Sequence, residues 1–409
     1  MANVRIYQAD RYQTSNTAEV CEVAEKNGCD IFTCTSSVFY PEGGGQPSDT
    51  GTVSLGDQIF EVLSAHDKGL ETDVWHYTDA PAGTFHPGDH VTLTIDWDNR
   101  FRNMQRHLGE HMLSGAMYSL FGGVNKGFHM GEDDITIDID LGGRMLTEED
   151  LDLAERTVNE AIWADLPVTT AWFDDYESSL VLPVRKEVPH DGRVSVVYVG
   201  DPEDPFDCIA CCGTHPASSA EVGLIAIYKC DPNKGMNRIF FDCGRMARDK
   251  LSEDAHLLAE IARRYSCSTH DLLSRMDKES EAVSELRARL AALSSYVRET
   301  ECAAIRRELS ADGIKSYTYS SEILSTDELL KLGFAALEGT TGKLLIFMHP
   351  ASCTCLLFSS GDAKCGKLIK ERAKEFGGRG GGRDDNARAI FGSVHDMKLF
   401  ASAAAEMVE

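Results

Sequence analysis

The stretch Asp98-Asn-Arg-Phe101-Arg-Asn-Met104-Gln-Arg-His107-Leu108-Gly-Glu110-His111-Met112-Leu113 decides how this chain is read. Apolar side chains at Phe101, Met104, Leu108, Met112, Leu113, Ala116 and Met117 recur at helical spacing, which puts His107 and His111 one turn apart on one face. Far along the chain, Cys211-Cys212-Gly213-Thr214-His215 repeats the four-residue spacing with a thiol. Three imidazoles and a thiolate form a tetrahedral nitrogen and sulfur donor set, suited to zinc rather than to magnesium or calcium. The expectation is that His107, His111, Cys211 and His215 hold one Zn2+ ion.

The same residues admit a rival. His107-x-x-Glu110-His111 also satisfies the inverzincin metallopeptidase pattern, with Glu110 as base. That reading leaves Cys211 and His215 without a purpose.

Composition narrows the field. A chain of 409 residues carries several domains, and no apolar run is long enough to span a membrane. Thirteen irregularly spaced cysteines with no apolar signal core point to reduced thiols and a cytoplasmic location. The net charge of −26 repels phosphate backbones, so any RNA contact must be local. Between Gly361 and Lys398, nine basic positions face six acidic ones, a local excess of +3. Within it, Lys367, Lys370, Arg379 and Arg383 are the candidate RNA contacts, the last two in the loop Gly377-Gly-Arg-Gly-Gly-Gly-Arg383.

The pattern predicts an α+β multidomain chain. Residues 1–95 read as a small β-barrel, with strands at 31–35, 51–55, 59–63 and 90–95 between turn residues. Residues 96–250 mix helices and strands around the metal pairs, with a helix opened by a capping box at Thr147 and stopped by Pro167. Residues 251–310 are helical. There Val283, Leu286, Leu290, Leu293 and Val297 form a short heptad seam, either an intramolecular hairpin or a homodimer coil over 272–305. Residues 311–409 alternate strand and helix as a small α/β domain. Between the first two strands, Phe39-Tyr-Pro-Glu-Gly43-Gly44-Gly45-Gln46 places three glycines where backbone could approach a partner closely.

Taken together, the glycine loop with Asp49 and Gly51, the pair His107-x-x-x-His111, the Cys-Gly-Thr-His ending at His215 and the Gly377–Arg383 run resemble the editing part of alanyl-tRNA synthetase. The chain is most similar to the free-standing AlaX alanyl-tRNA editing proteins of the long type. No segment before residue 39 resembles a class II aminoacylation core. The resemblance implies a hydrolase that deacylates Ser-tRNA(Ala) and Gly-tRNA(Ala), with zinc on His107, His111, Cys211 and His215. It also implies that Gly43, Gly44, Gly45 and Gln46 border the site, that the C-terminal domain is DHH-associated and grips tRNA, and that the helical stretch dimerises. Compared with the synthetase, Glu110 stands where Thr is usual and Asn125 where Gln is common, and the last glycine run is reduced to Ala389-Ile390-Phe391-Gly392.

Ester hydrolysis needs a water nucleophile and a polarised carbonyl, both of which zinc can supply. Four protein donors would close the ion, so one of them, His215, is expected to sit loosely. Glu110 and Gln46 are the catalytic candidates, Glu110 as general base or as a partner to a ligand imidazole. Gln46, Glu110, Asn125 and Thr35 are the candidates to hydrogen-bond a seryl hydroxyl, which would reject alanine far better than shape alone. A third reading is a non-catalytic zinc protein that binds tRNA.

Overall fold

A computed structural model of the chain describes residues 4–67, 72–186 and 192–407. These divide into two compact units, Met1–Glu260 and Ile261–Glu409.

The first unit opens with a closed six-stranded barrel, in the order Ser15–Lys26, Cys29–Cys34, Trp75–Pro81, Gln58–His66, Gly51–Leu55 and His90–Ile95. All of its pairings are antiparallel. Strict alternation drives His90–Ile95 inward at Val91, Leu93 and Ile95, as a half-buried strand requires. Phe32, Val53, Val62 and Ala65 fill the same core. The barrel and the strands read near 31, 51, 59 and 90 are present. The strands Ser15–Lys26 and Trp75–Pro81 are additions, because charged and small residues hide their alternation.

Closure leaves residues 40–49 as an outward loop, pinned at its base by Asp49. The Asp49 carboxylate accepts from the Tyr40 N–H at 2.7 Å, and the Asp49 N–H donates to Tyr40 O at 3.0 Å. Arg100 clamps the same carboxylate through Nε and Nη2, and Nη2 also donates to Val38 O at 2.7 Å. Both side chains are fully buried, which paired and hydrogen-bonded charges tolerate.

Arg100 lies on the helix Trp97–Phe121, which is capped by the Asp96 carboxylate and ends at left-handed Gly122. Its central turns are buried on every side, from Arg106 to Met117. An antiparallel sheet of Val124–Met130, Ile135–Asp140, Met236–Cys243 and Ile225–Asn233 packs with it. So do the capped helix Glu148–Trp163 and a three-stranded sheet of Val168–Phe173, Val194–Gly200 and Pro205–Ala210. The barrel loop and the strand end at Ala210 are thereby brought to one helix.

In the second unit the helix Leu272–Leu309 leads into a five-stranded sheet with helices Thr326–Leu337, Cys365–Arg372 and Val394–Glu406. Val283, Leu286, Leu290 and Leu293 are exposed along the long helix. The glycine run read as a loop is instead an edge strand, Arg379–Gly382, paired with Asn386–Ile390. A Cβ on Gly380 would lie 2.0 Å from Arg388 O, so these glycines permit close strand packing. No helix among the described residues is long and apolar enough to cross a membrane.

Candidate metal centre

One ligand atom each from His107, His111, Cys211 and His215 falls within 4.8 Å of all the others. The two histidines of the helix project from successive turns. Cys211 and His215 come from an irregular segment just beyond the strand Pro205–Ala210. Two hydrogen bonds anchor that segment: Cys211 N donates to Ser195 O at 3.0 Å, and the Ser195 hydroxyl Oγ donates to Cys211 O at 2.6 Å. Arg11 Nη1 donates to the carbonyl oxygens of His215 and Pro216. Gly213 is fixed by contact, because a Cβ there would stand 2.2 Å from the His107 ring.

Gln46 decides the tautomer of His107. The Thr214 N–H donates to Gln46 Oε1 at 3.0 Å and Gln46 Nε2 donates to Thr214 Oγ1 at 2.8 Å, which orients the amide. Oε1 can therefore only accept, so the His107 nitrogen 2.8 Å away, Nδ1, is the protonated one. The Nε2 lone pair then points to the cluster, the arrangement of a metal-ligating histidine.

The separations fit a shared ion. His111 Nε2 and His215 Nε2 are 3.0 Å apart, and Cys211 Sγ lies 3.4 Å from His107 Nε2 and 3.7 Å from His215 Nε2. Zinc bonds of about 2.1 Å to nitrogen and about 2.3 Å to sulfur give tetrahedral edges of roughly 3.4 and 3.6 Å. Although burial raises the Cys211 thiol, the three imidazoles hold it well below its ordinary value, toward the ligating thiolate. No carboxylate belongs to the donor set, unlike the distant Glu ligand of the inverzincin pattern.

Glu110 sits behind the cluster, buried. Its Oε1 accepts from Ser114 Oγ at 2.7 Å and Asn125 Nδ2 at 2.8 Å. Its Oε2 lies 3.0 Å from His111 Nδ1, out of line for a hydrogen bond. Burial alone would raise this carboxyl, but the His111 charge beside it holds it below its ordinary value. The Nδ1 of His215 has no hydrogen-bond partner among the described residues, and burial pushes this imidazole down to about 3.

A cavity of about 300 Å³ opens onto the donors, with Gly44, Asn125, Lys126, Phe128 and Arg185 in its wall. Thr35 is not in that wall. It is exposed on the barrel, where its Oγ1 accepts from Glu19 N. Lys367, Lys370, Arg379 and Arg383 are all exposed on the second unit. Residue-pattern reading missed the Asp49–Arg100 clamp, Ser114 and the buried pair Arg185–Asp207 at 2.5 Å. A signal did exist for the clamp, since Arg100 falls within the apolar period of its helix.

The "tRNA synthetases class II (A)" family matches residues 8–99, and the "Threonyl and Alanyl tRNA synthetase second additional domain" matches residues 194–240. The first match begins ahead of the glycine loop and covers the barrel. The alanyl-tRNA editing protein AlaX-L of Pyrococcus horikoshii is 28% identical over 404 residues, 94% of this chain and 93% of that protein. The chain is a relative of the AlaX-type editing proteins. The alanine–tRNA ligases of Caldivirga maquilingensis and Pyrococcus abyssi are 26% and 28% identical, over 94% and 96% of this chain. The chain spans only 42% of the length of each ligase.

Proposed function

We propose that this protein is a zinc-dependent hydrolase that removes serine and glycine wrongly esterified to the alanine tRNA. The observation that carries the reading is the convergence of His107, His111, Cys211 and His215 beside a glycine loop, in a chain matched over 94% of its length by an alanyl-tRNA editing protein. Bound at the four donors, zinc would supply Lewis acidity to the ester carbonyl and to the attacking water.

The chain's own residues do the rest. Gln46 holds His107 in the ligating tautomer. Glu110, with both oxygens engaged, steadies His111, and Ser114 and Asn125 steady Glu110. Gln46 and Glu110 thus act through the ligands as positioning residues. His215 is the donor assigned to yield to substrate: among the described residues its Nδ1 has neither a hydrogen-bond partner nor a carboxylate, whereas His111 Nδ1, likewise without a hydrogen bond, has the Glu110 carboxylate at 3.0 Å. Arg379, Arg383, Lys367 and Lys370 supply the local positive charge for tRNA that the acidic remainder of the chain withholds.

The test is hydrolysis of Ser-, Gly- and Ala-charged alanine tRNA by the full chain, with and without a chelator, alongside C211S. Serine and glycine should be released and alanine spared. The chelator and C211S should each abolish turnover. Release of none of the three by the zinc-loaded protein would end the proposal, and stoichiometric tRNA binding without turnover would favour the non-catalytic reading.

A further inference from the structure

The side chains that the sequence offers as readers of a seryl hydroxyl are committed elsewhere by the fold. Gln46 spends its amide on His107 and Thr214, is fully buried and does not belong to the wall of the cavity at the donors. Thr35 lies outside that wall as well. Asn125 is in it, but its Nδ2 donates both to Glu110 Oε1 at 2.8 Å and to Ser114 Oγ at 2.9 Å, while its Oδ1 accepts from Gly127 N at 3.0 Å. Glu110 Oε1 accepts from Ser114 and Asn125, and its Oε2 is turned to His111.

Among the described residues of the wall, Arg185 is the polar side chain that is both fixed and uncommitted. It is nine-tenths buried, and its Nε donates to Asp207 Oδ1 at 2.5 Å. Neither terminal nitrogen has a hydrogen-bond partner among the described residues, and neither is shut off from solvent. The surroundings hold it in place. Arg185 N donates to Cys208 O at 2.9 Å, and the preceding Leu182 and Val184 pack with Val194, Val196 and Cys208. Asp207 is pressed against the helix of His107 and His111 at Gly115, where a Cβ would come within 2.8 Å of its own Cβ. The neighbouring Lys126 and Lys186 are exposed, and Lys186 Nζ already donates to Asn125 O at 3.3 Å.

We propose that Arg185 is the specificity-determining residue of this cavity, its terminal N–H groups reading the side chain of the amino acid to be released. This rests on the hydrolase reading above and deepens it. Serine, glycine and alanine differ only in what the α-carbon carries. A seryl hydroxyl can accept from the guanidinium, and glycine leaves that space open to a water that does the same. An alanyl methyl displaces the water and returns no acceptor, so a largely buried cation loses a partner. Losses of that kind discriminate far more strongly than shape. Arginine suits the task better than lysine, because its planar fork, pinned through Nε, presents the other two nitrogens in a fixed direction. Acceptance of serine and glycine and refusal of alanine thus follow from one side chain.

The test follows release of serine, glycine and alanine from charged alanine tRNA by the full chain. Alongside it, calorimetry measures binding of seryl-, glycyl- and alanyl-amidoadenosine, whose amide replaces the ester and resists hydrolysis. Wild type is compared with R185K and with R185M combined with D207L, which removes both charges so that neither is stranded. Both variants should keep zinc. In the double variant the seryl rate and the seryl-amide affinity should fall about 10- to 100-fold, the worth of a hydrogen bond to a charged group. The alanyl rate should rise, because the methyl group then meets an apolar wall. R185K keeps the charge and loses the fork, so its serine-to-alanine ratio should lie between the other two. An equal fall for all three amino acids, or a wild-type ratio in both variants, would overturn the assignment. Hydrolysis of Ser-tRNA(Ala) with a ratio indifferent to position 185 ends the assignment alone. An Arg185-dependent preference for the seryl amide, in a protein that hydrolyses none of the three charged tRNAs, supports it and ends the hydrolase reading.

Discussion

Gln46 of the barrel loop accepts the Nδ1 proton of His107 across 2.8 Å, so a residue of one sheet system sets the ligating nitrogen of a helix in another. Its amide is itself oriented by the Thr214 backbone and hydroxyl, in the segment that carries Cys211 and His215. One side chain thus ties together the three pieces of chain that build the cluster. Replacing Gln46 with Leu removes the acceptor and the link at once. Zinc affinity should fall roughly 10- to 100-fold, the usual cost of losing such a partner, while the protein stays folded. Competition against a chromophoric chelator reads the affinity. Wild-type affinity in Q46L would show that His107 needs no such support.

The Asp49–Arg100 clamp yields a stability prediction. Removing one member of a buried ion pair strands the other charge and costs about 3–5 kcal/mol, whereas replacing both by apolar residues can be nearly neutral. D49A should lower unfolding stability by that amount in urea melts. The double variant D49L with R100M should recover most of the loss. Because Asp49 also closes residues 40–49 through Tyr40, D49A should weaken zinc retention as well.

What the sequence shows plainly, and what it hides, divides by the range of the interaction. Helical period places His107 and His111 on one face, and turn residues bracket the barrel strands, because both signals are local. The Cys211-x-x-x-His215 spacing suggested a matched pair, yet its geometry comes from an irregular segment held by Ser195 and Arg11, contacts that no spacing rule encodes. Gln46 drew notice as a loop residue. Its work on His107 is a contact between positions 61 residues apart. The Gly377–Arg383 run misled for a related reason. Glycine signals backbone freedom and close packing alike, and only the neighbouring strand at Arg388 and Ala389 decides between them.

His76 gives the barrel a pH signature. It is fully buried, stacked on Phe32 and hydrogen-bonded to Ser37 Oγ. Burial lowers it from 6.5 to about 4. A depressed histidine is neutral in the fold while its unfolded counterpart takes up a proton, so its contribution is intact above pH 6.5. That contribution is lost as pH falls toward about 4 and is constant below. The loss over the window is roughly 3 kcal/mol at most. Urea midpoints measured from pH 7 to 4 should fall more steeply for wild type than for H76N, whatever the absolute stability of the variant. Parallel curves would mean that His76 is charged in the fold.

Gly45 separates the shape of the site from its metal. Its φ is +81°, and a Cβ there would lie 2.4 Å from the Phe128 ring. Phe128 in turn stacks on His107, 5.7 Å between centroids with the planes 16° apart. In G45A the loop must shift, the phenyl ring must rotate, or both, and either change alters the cavity wall while leaving all four donors in place. A displacement of about 1 Å near reacting groups can cost roughly 100-fold in rate. G45A should therefore keep its zinc, measured by plasma mass spectrometry, and lose between about 10- and 100-fold in kcat on Ser-tRNA(Ala). Loss of zinc in step with loss of rate would instead make the glycine loop part of the metal's own support, and Phe128 the element that transmits the strain to His107.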